Sequence, residues 1–143
     1  MNAAIHQMIV RRVKVDRTRT PKEAVAATKR NEYVDQSVLA TAPAGELEEV
    51  DVYFYPIECS TSAPDFAKLY DELGLVPDPM AQTAVNEDDP AFADNHPNGS
   101  QWKDSQNRFC YLAFRRWDGE RDVNCYRYVN AWNGRWFVAG VRK

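Results

Sequence analysis

The chain has 143 residues, 44% apolar and 27% charged, and a formal net charge of −3. These values exclude disordered, collagen-like and low-complexity proteins, and a chain this long buries about 70% of the surface its unfolded form exposes, enough for a single domain over 1–143 without staples. No apolar run approaches the roughly 18 residues that cross a bilayer, and residues 5–15 are broken by His6, Gln7 and three basic side chains where a secretory signal would be continuous, so a cytoplasmic protein with no membrane partner is expected.

Cys59, Cys110 and Cys125 are an odd number without C-x-x-C spacing, and they read as buried thiols rather than a disulfide framework or a zinc site. Charge is segregated: residues 1–30 carry +6, residues 31–104 carry −14 and residues 105–143 carry +5. Two basic ends around an acidic middle are expected to attract each other within the fold. If the ends converge on one face instead, that face binds anions.

Residues 5–15 are apolar, β-branched and partly alternating, the pattern of a first strand. Thr20-Pro21-Lys22-Glu23 places an N-cap, a proline at the first helical position and a capping-box glutamate in register, which predicts a helix over 21–30. Residues 33–41 and 50–57 follow as strand candidates that could pair as a hairpin through 42–45, Pro56 weakening the second, and a ferredoxin-like order in the first half fits this. Phe66, Leu69, Tyr70 and Leu73 recur at helical spacing after Ser62, so a second helix is predicted over 64–73, stopping at Gly74. Residues 77–99, rich in Pro, Asp and Asn, read as a long functional or packed connection with helical turns near 80–85 and 90–93.

Residues 102–143 hold all four tryptophans, ten of the seventeen aromatics and seven arginines. Asp118-Gly119 is a preferred two-residue turn of type I′, and placing it there sets Arg115 opposite Asp122, Phe114 opposite Val123, Leu112 opposite Cys125 and Tyr111 opposite Tyr126. Phe109 then faces Tyr128. Arg116 faces Arg121, a like-charge pair that needs a compensating anion, expected to be a carboxylate from the acidic middle rather than a ligand. Asn133-Gly134 offers a second such turn, after which a strand over 135–142 would set Tyr126 opposite Val141 and Tyr128 opposite Ala139. Both faces of this three-stranded meander are apolar, so both should be covered, one by the helices and the other by the long connection, a second subunit or a partner.

The chemistry of catalysis is poorly represented. The two histidines, His6 and His96, sit in no catalytic pattern, and His96 reads as a solvated loop residue. Glu87, Asp88, Asp89 and Asp94 lack the spacing of a calcium loop, Asn98-Gly99-Ser100 reads as a plain turn, and no glycine-rich phosphate loop occurs. Catalytic residues, metal ligands and cofactors are therefore not indicated. Arginines pair with phosphates and tyrosines stack bases, so Tyr111, Arg115, Arg116, Trp117, Arg121, Tyr126 and Tyr128 form the candidate ligand-binding set. Residues 109–114 resemble the RNP1 strand of RNA-recognition motifs in their alternate aromatics. The basic and glycine positions of that motif are Asn107 and Arg108 here, and the segment lies in the wrong element of the fold.

His96-Pro97-Asn98-Gly99, Trp102-Lys103-Asp104, Phe114-Arg115-Arg116-Trp117 and the ending Trp136-Phe137-Val138-Ala139-Gly140-Val141-Arg142-Lys143 together resemble a pattern recurring in small bacterial proteins of uncharacterised function. The resemblance implies a self-contained protein and no particular substrate. The expected fold is α+β: a mixed or antiparallel sheet with two helices on one face and the C-terminal meander completing it. The expected function is a non-enzymatic binding or interaction protein, self-associating through its aromatic and arginine-rich sheet or docking a protein partner. The alternative is a binder of a nucleotide or single-stranded nucleic acid using Arg115, Arg116, Arg121 and the sheet tyrosines. A hydrolase or transferase built on the acids of 77–104 is the third reading.

Overall fold

A computed structural model of the chain describes residues 8–127 and 130–143. The first strand, β1 (Ile9–Lys14), is followed by α1 (Pro21–Ala27), which carries the reciprocal capping box. The Thr20 hydroxyl accepts from the Glu23 amide at 3.1 Å while the Glu23 carboxylate accepts from the Thr20 amide at 2.9 Å. The strand expected over 33–41 is two elements. β2 (Asn31–Val34) stops at Asp35, whose carboxylate accepts from the Ser37 amide at 3.0 Å and hydroxyl at 2.6 Å and so caps α2 (Gln36–Leu39). β3 (Glu49–Pro56), α3 (Ala63–Leu73) and β4 (Leu75–Val76) follow, with Ser62 capping α3 and Gly74 closing it at φ 68°.

The stretch 77–99 is structured rather than loop-like: α4 (Pro79–Asp88), α5 (Phe92–Asn95) and the start of β5 (Asn98–Lys103) occupy it. α4 shows no clear apolar stripe because it turns Gln82, Thr83 and Asn86 inward, each no more than 1% exposed. Buried amides are tolerated when they are paired. Gln82 Nε2 donates to Asn98 Oδ1 at 3.0 Å and Asn86 Nδ2 donates to the same oxygen at 2.9 Å. Asn98-Gly99-Ser100 is accordingly a buried strand and not a turn.

β6 (Phe109–Trp117), β7 (Glu120–Arg127) and β8 (Phe137–Arg142) complete an open mixed sheet in the order β1-β3-β8-β5-β6-β7-β2, with β4 paired to β8 off this path, so the fold is α+β. The hairpin expected between 33–41 and 50–57 does not form. β3 lies antiparallel between β1 and β8, and β2 runs parallel to β7. Burial explains the split: Val52 and Phe54 of β3 are no more than 1% exposed and need neighbours on both sides, whereas the polar β2 suits an edge. With β1 and β2 at opposite edges, the first half is not ferredoxin-like.

The antiparallel meander is β5-β6-β7, and β8 is not part of it. Ala139 faces Phe54 and Val141 faces Val76, replacing the partners expected from an Asn133-Gly134 hairpin. Among the described residues only Gly74 and Gly119 are glycines with positive φ, so Gly134 cannot serve a type I′ turn. Val138, Ala139, Gly140 and Val141 are all buried, the near-continuous pattern of a central strand, and β8 reaches that place by crossing to lie parallel to β5.

The two helices read from the sequence lie on opposite faces of the sheet, not on one. Val25 of α1, Val38 and Leu39 of α2, Ala81 and Val85 of α4 and Phe92 of α5 pack with side chains such as Phe54, Leu112 and Val123 on the first face. Phe66 and Tyr70 of α3 pack with Tyr55, Ala113, Val138 and Trp132 on the second. Trp132, 3% exposed, stacks on Phe66 at 4.6 Å and donates to Gln101 Oε1 at 3.0 Å. α3 and Trp132 therefore cover the second face only as far as β6.

Candidate functional site

The site grows from the β6–β7 hairpin. Asp118 and Gly119 take φ of 53° and 78°, the type I′ signature, and the register is the one read from the sequence, with Arg115 opposite Asp122 and Arg116 opposite Arg121. Because neighbouring side chains alternate, these two pairs serve opposite faces.

On the helix-covered face, Asp94 at the end of α5 resolves the like-charge opposition. Arg121 holds it through Nε at 3.0 Å and Nη2 at 2.8 Å, and Arg116 Nη1 lies 3.6 Å away. The compensating carboxylate is thus internal and comes from the acidic middle of the chain. The Arg121 hydrogen bonds, with the neighbouring positive charges, hold the Asp94 carboxyl below its usual range. Arg30 lies 5.5 Å over the Phe114 ring, only 8% exposed, with Nη2 donating to the Pro90 carbonyl at 2.8 Å. Burial lowers its pKa, and its Nε has no partner among the described residues.

On the other face, Arg115 pairs with the 2%-exposed Asp122 at 3.2 Å and lies 5.3 Å over the Trp117 ring. The Asn124 side-chain amide donates to the same Asp122 oxygen, Oδ1, at 2.8 Å. Trp117, Tyr126 and Tyr33 are 64%, 42% and 45% exposed on this face, and the Tyr33 hydroxyl donates to Glu120 at 3.3 Å.

β5 stops pairing at Asn98 opposite Phe114, so residues 115–117 have no β5 partner and share a cleft with the turn that leads into β8. This cleft of about 560 Å³ lies between them, lined by Arg115, Arg116 and Trp117 on one side, Arg135, Trp136 and Phe137 on the other, and Asp94 at its edge. A smaller cavity of about 150 Å³ adjoins it, sharing Arg115 and Trp136 and bounded by Tyr111 and Trp132.

The structure brings Arg115, Arg116 and Trp117 of the expected set into one cleft. Tyr111 lines the adjoining cavity. Arg121 lies instead in a hollow with Lys29 and Glu120, Tyr126 stands on the open sheet face, and Tyr128 is outside the described residues. Asp94, Arg135, Trp136 and Phe137 belong to the cleft although none was in the expected ligand-binding set. The Asn133-Gly134 pair signalled a turn, but not that this turn lines a cleft with residues 115–117 of β6.

Other expectations are corrected here. His96 is no solvated loop residue: it stacks on Phe92 at 4.9 Å and meets Phe137 edge-on at 5.2 Å. His6 lies outside the described residues. Cys110 and Cys125 are buried, as expected, but Cys59 is exposed. The acids of 77–104 form no common site, since Asp78, Glu87, Asp94 and Asp104 each hold a different arginine or set of arginines. Among the described residues no three His, Cys, Asp or Glu groups are placed to hold a metal ion, and no helix is long and apolar enough to cross a membrane. Comparison of the chain with family models, curated proteins and solved structures gives no match.

Proposed function

We propose that this is a non-enzymatic interaction protein that associates with a second copy of itself through the open half of its second sheet face. The observation that supports this reading is the uneven cover of that face. α3 and Trp132 bury it as far as β6, and beyond them Trp117, Tyr126 and Tyr33 stand 64%, 42% and 45% exposed. Exposed Tyr and Trp side chains beside an arginine have the composition of interface hot spots rather than of an ordinary wet surface. The same patch carries Arg115 and Glu120, so it offers both signs of charge, as a two-fold contact of a surface with itself requires.

Sedimentation velocity across a concentration series tests the reading. The wild type should show a dimer that persists in high salt, because burial of apolar surface does not weaken with ionic strength. Tyr33→Ser with Tyr126→Ser should shift the protein to a monomer while leaving its melting temperature nearly unchanged. A wild type that stays monomeric throughout refutes the proposal.

A further inference from the structure

We propose that the cleft between residues 115–117 and 133–137 is a binding site for a phosphate group attached to a planar aromatic ring, the chemistry of a nucleoside phosphate. This goes beyond self-association: it shares Trp117 and Arg115 with that patch but turns on Arg116, Arg135 and Trp136, which self-association does not use. The cations of the cleft are unequally engaged. Arg121, outside it, takes both oxygens of Asp94 at 3.0 and 2.8 Å, while Arg116 reaches that carboxylate only at 3.6 Å. Arg135, on the facing wall, is exposed and has no side-chain partner among the described residues. Two guanidinium forks with donors to spare thus face one space, the arrangement that recognises phosphate oxygens.

The remaining walls are aromatic. Trp117 and Trp136 supply indole surfaces for ring stacking, and Arg115, resting on Trp117 and tied to Asp122, extends that platform. A volume of about 560 Å³ lies within the range of small-molecule sites, roughly 300–1,000 Å³. Cations and stacking surfaces in one cleft select for a ligand bearing both a phosphate and a base, and neither part alone satisfies both walls. The same chemistry is presented by a free mononucleotide and by a single strand, and the two sources are separable by experiment.

Calorimetric titration of the full chain with adenosine monophosphate, adenosine, inorganic phosphate and a thymidylate dodecamer tests the proposal. Adenosine monophosphate should bind at least tenfold more tightly than adenosine or phosphate. Arg135→Ala and Arg116→Ala should each weaken it about tenfold, the scale of one charge-assisted hydrogen bond. Added salt should weaken binding as well. Tighter binding of the dodecamer than of the mononucleotide also supports the site and identifies a strand as the source. Binding of all four probes that is absent or equally weak overturns the proposal, as does nucleotide affinity unchanged by Arg135→Ala, an exposed substitution that should leave folding intact. Tyr33→Ser with Tyr126→Ser, which tests self-association, should leave nucleotide affinity unchanged, so failure of one reading is distinguishable from failure of the other.

Discussion

Asp94 shows how one side chain settles a conflict that strand pairing creates. Antiparallel register forces Arg116 and Arg121 together, and their repulsion is offset because α5 delivers a carboxylate between them. Asp94→Ala should therefore cost about 1 kcal/mol, a modest figure because both guanidinium groups are partly solvated. The folded-state pKa of Asp94 lies below its ordinary value, as does that of Asp104, which accepts from the Arg108 and Gln106 amides. A depressed carboxyl contributes stability above its unfolded pKa and loses it as pH falls through the folded one. Stability should thus hold through neutral pH and decline below about pH 4. Urea midpoints measured from pH 7 to pH 2 check this, and Asp94→Asn should flatten part of the decline; an unchanged profile in that variant removes Asp94 from the account. The opposition of the two arginines was legible from the Asp118-Gly119 turn alone. The identity of the acid was not, because sixteen acidic residues lie between 31 and 104 and sequence does not say which one folding brings near.

Elements with a strong local signal kept it. The capping box of α1, the apolar spacing and terminal glycine of α3 and the β6–β7 turn each depend on residues within a few positions of one another. Elements stabilised by distant partners gave misleading signals. α4 hides its core face behind buried amides, and β5, which reads as a turn at Asn98-Gly99, is a strand because α4 pairs with Asn98 and Trp132 lies on Gly99. A Cβ at Gly99 would overlap the Trp132 ring. Gly99→Ala should then displace Trp132 and cost about 2–3 kcal/mol, the scale of overpacking a filled core. Urea denaturation measures the loss, and near-ultraviolet circular dichroism should show the altered indole environment. Unchanged stability and spectrum would mean that Trp132 does not lock this face.

Across the whole molecule the charge segregation becomes a set of contacts between distant parts of the chain. Arg17 meets Asp78 at 2.8 Å, Arg19 meets Glu87 at 2.8 Å, Arg121 meets Asp94 at 2.8 Å and Lys143 meets Asp71 at 3.5 Å, each joining a basic end to the acidic middle. Their worth differs with burial. Arg12 and Glu49 are more than half exposed, and Arg12→Ala should leave the melting temperature nearly unchanged. Asp78 is only 4% exposed in its side chain and also caps α4, so Arg17→Ala should cost about 3 kcal/mol by leaving a buried carboxylate without its counter-ion. A double-mutant cycle with Asp78→Ala measures the coupling, and additive losses would show that the two side chains act independently. By itself the sequence determined the α+β class, the helices α1 and α3, the β6–β7 register and the mutual attraction of its charged segments, since each follows from short-range periodicity or from net charge. Strand order, the central place of β8, helices on both faces and the cleft lined by Arg115, Arg116 and Trp117 were decided only in three dimensions. Each depends on which strands must be buried on both faces, and burial is a property of the assembled sheet.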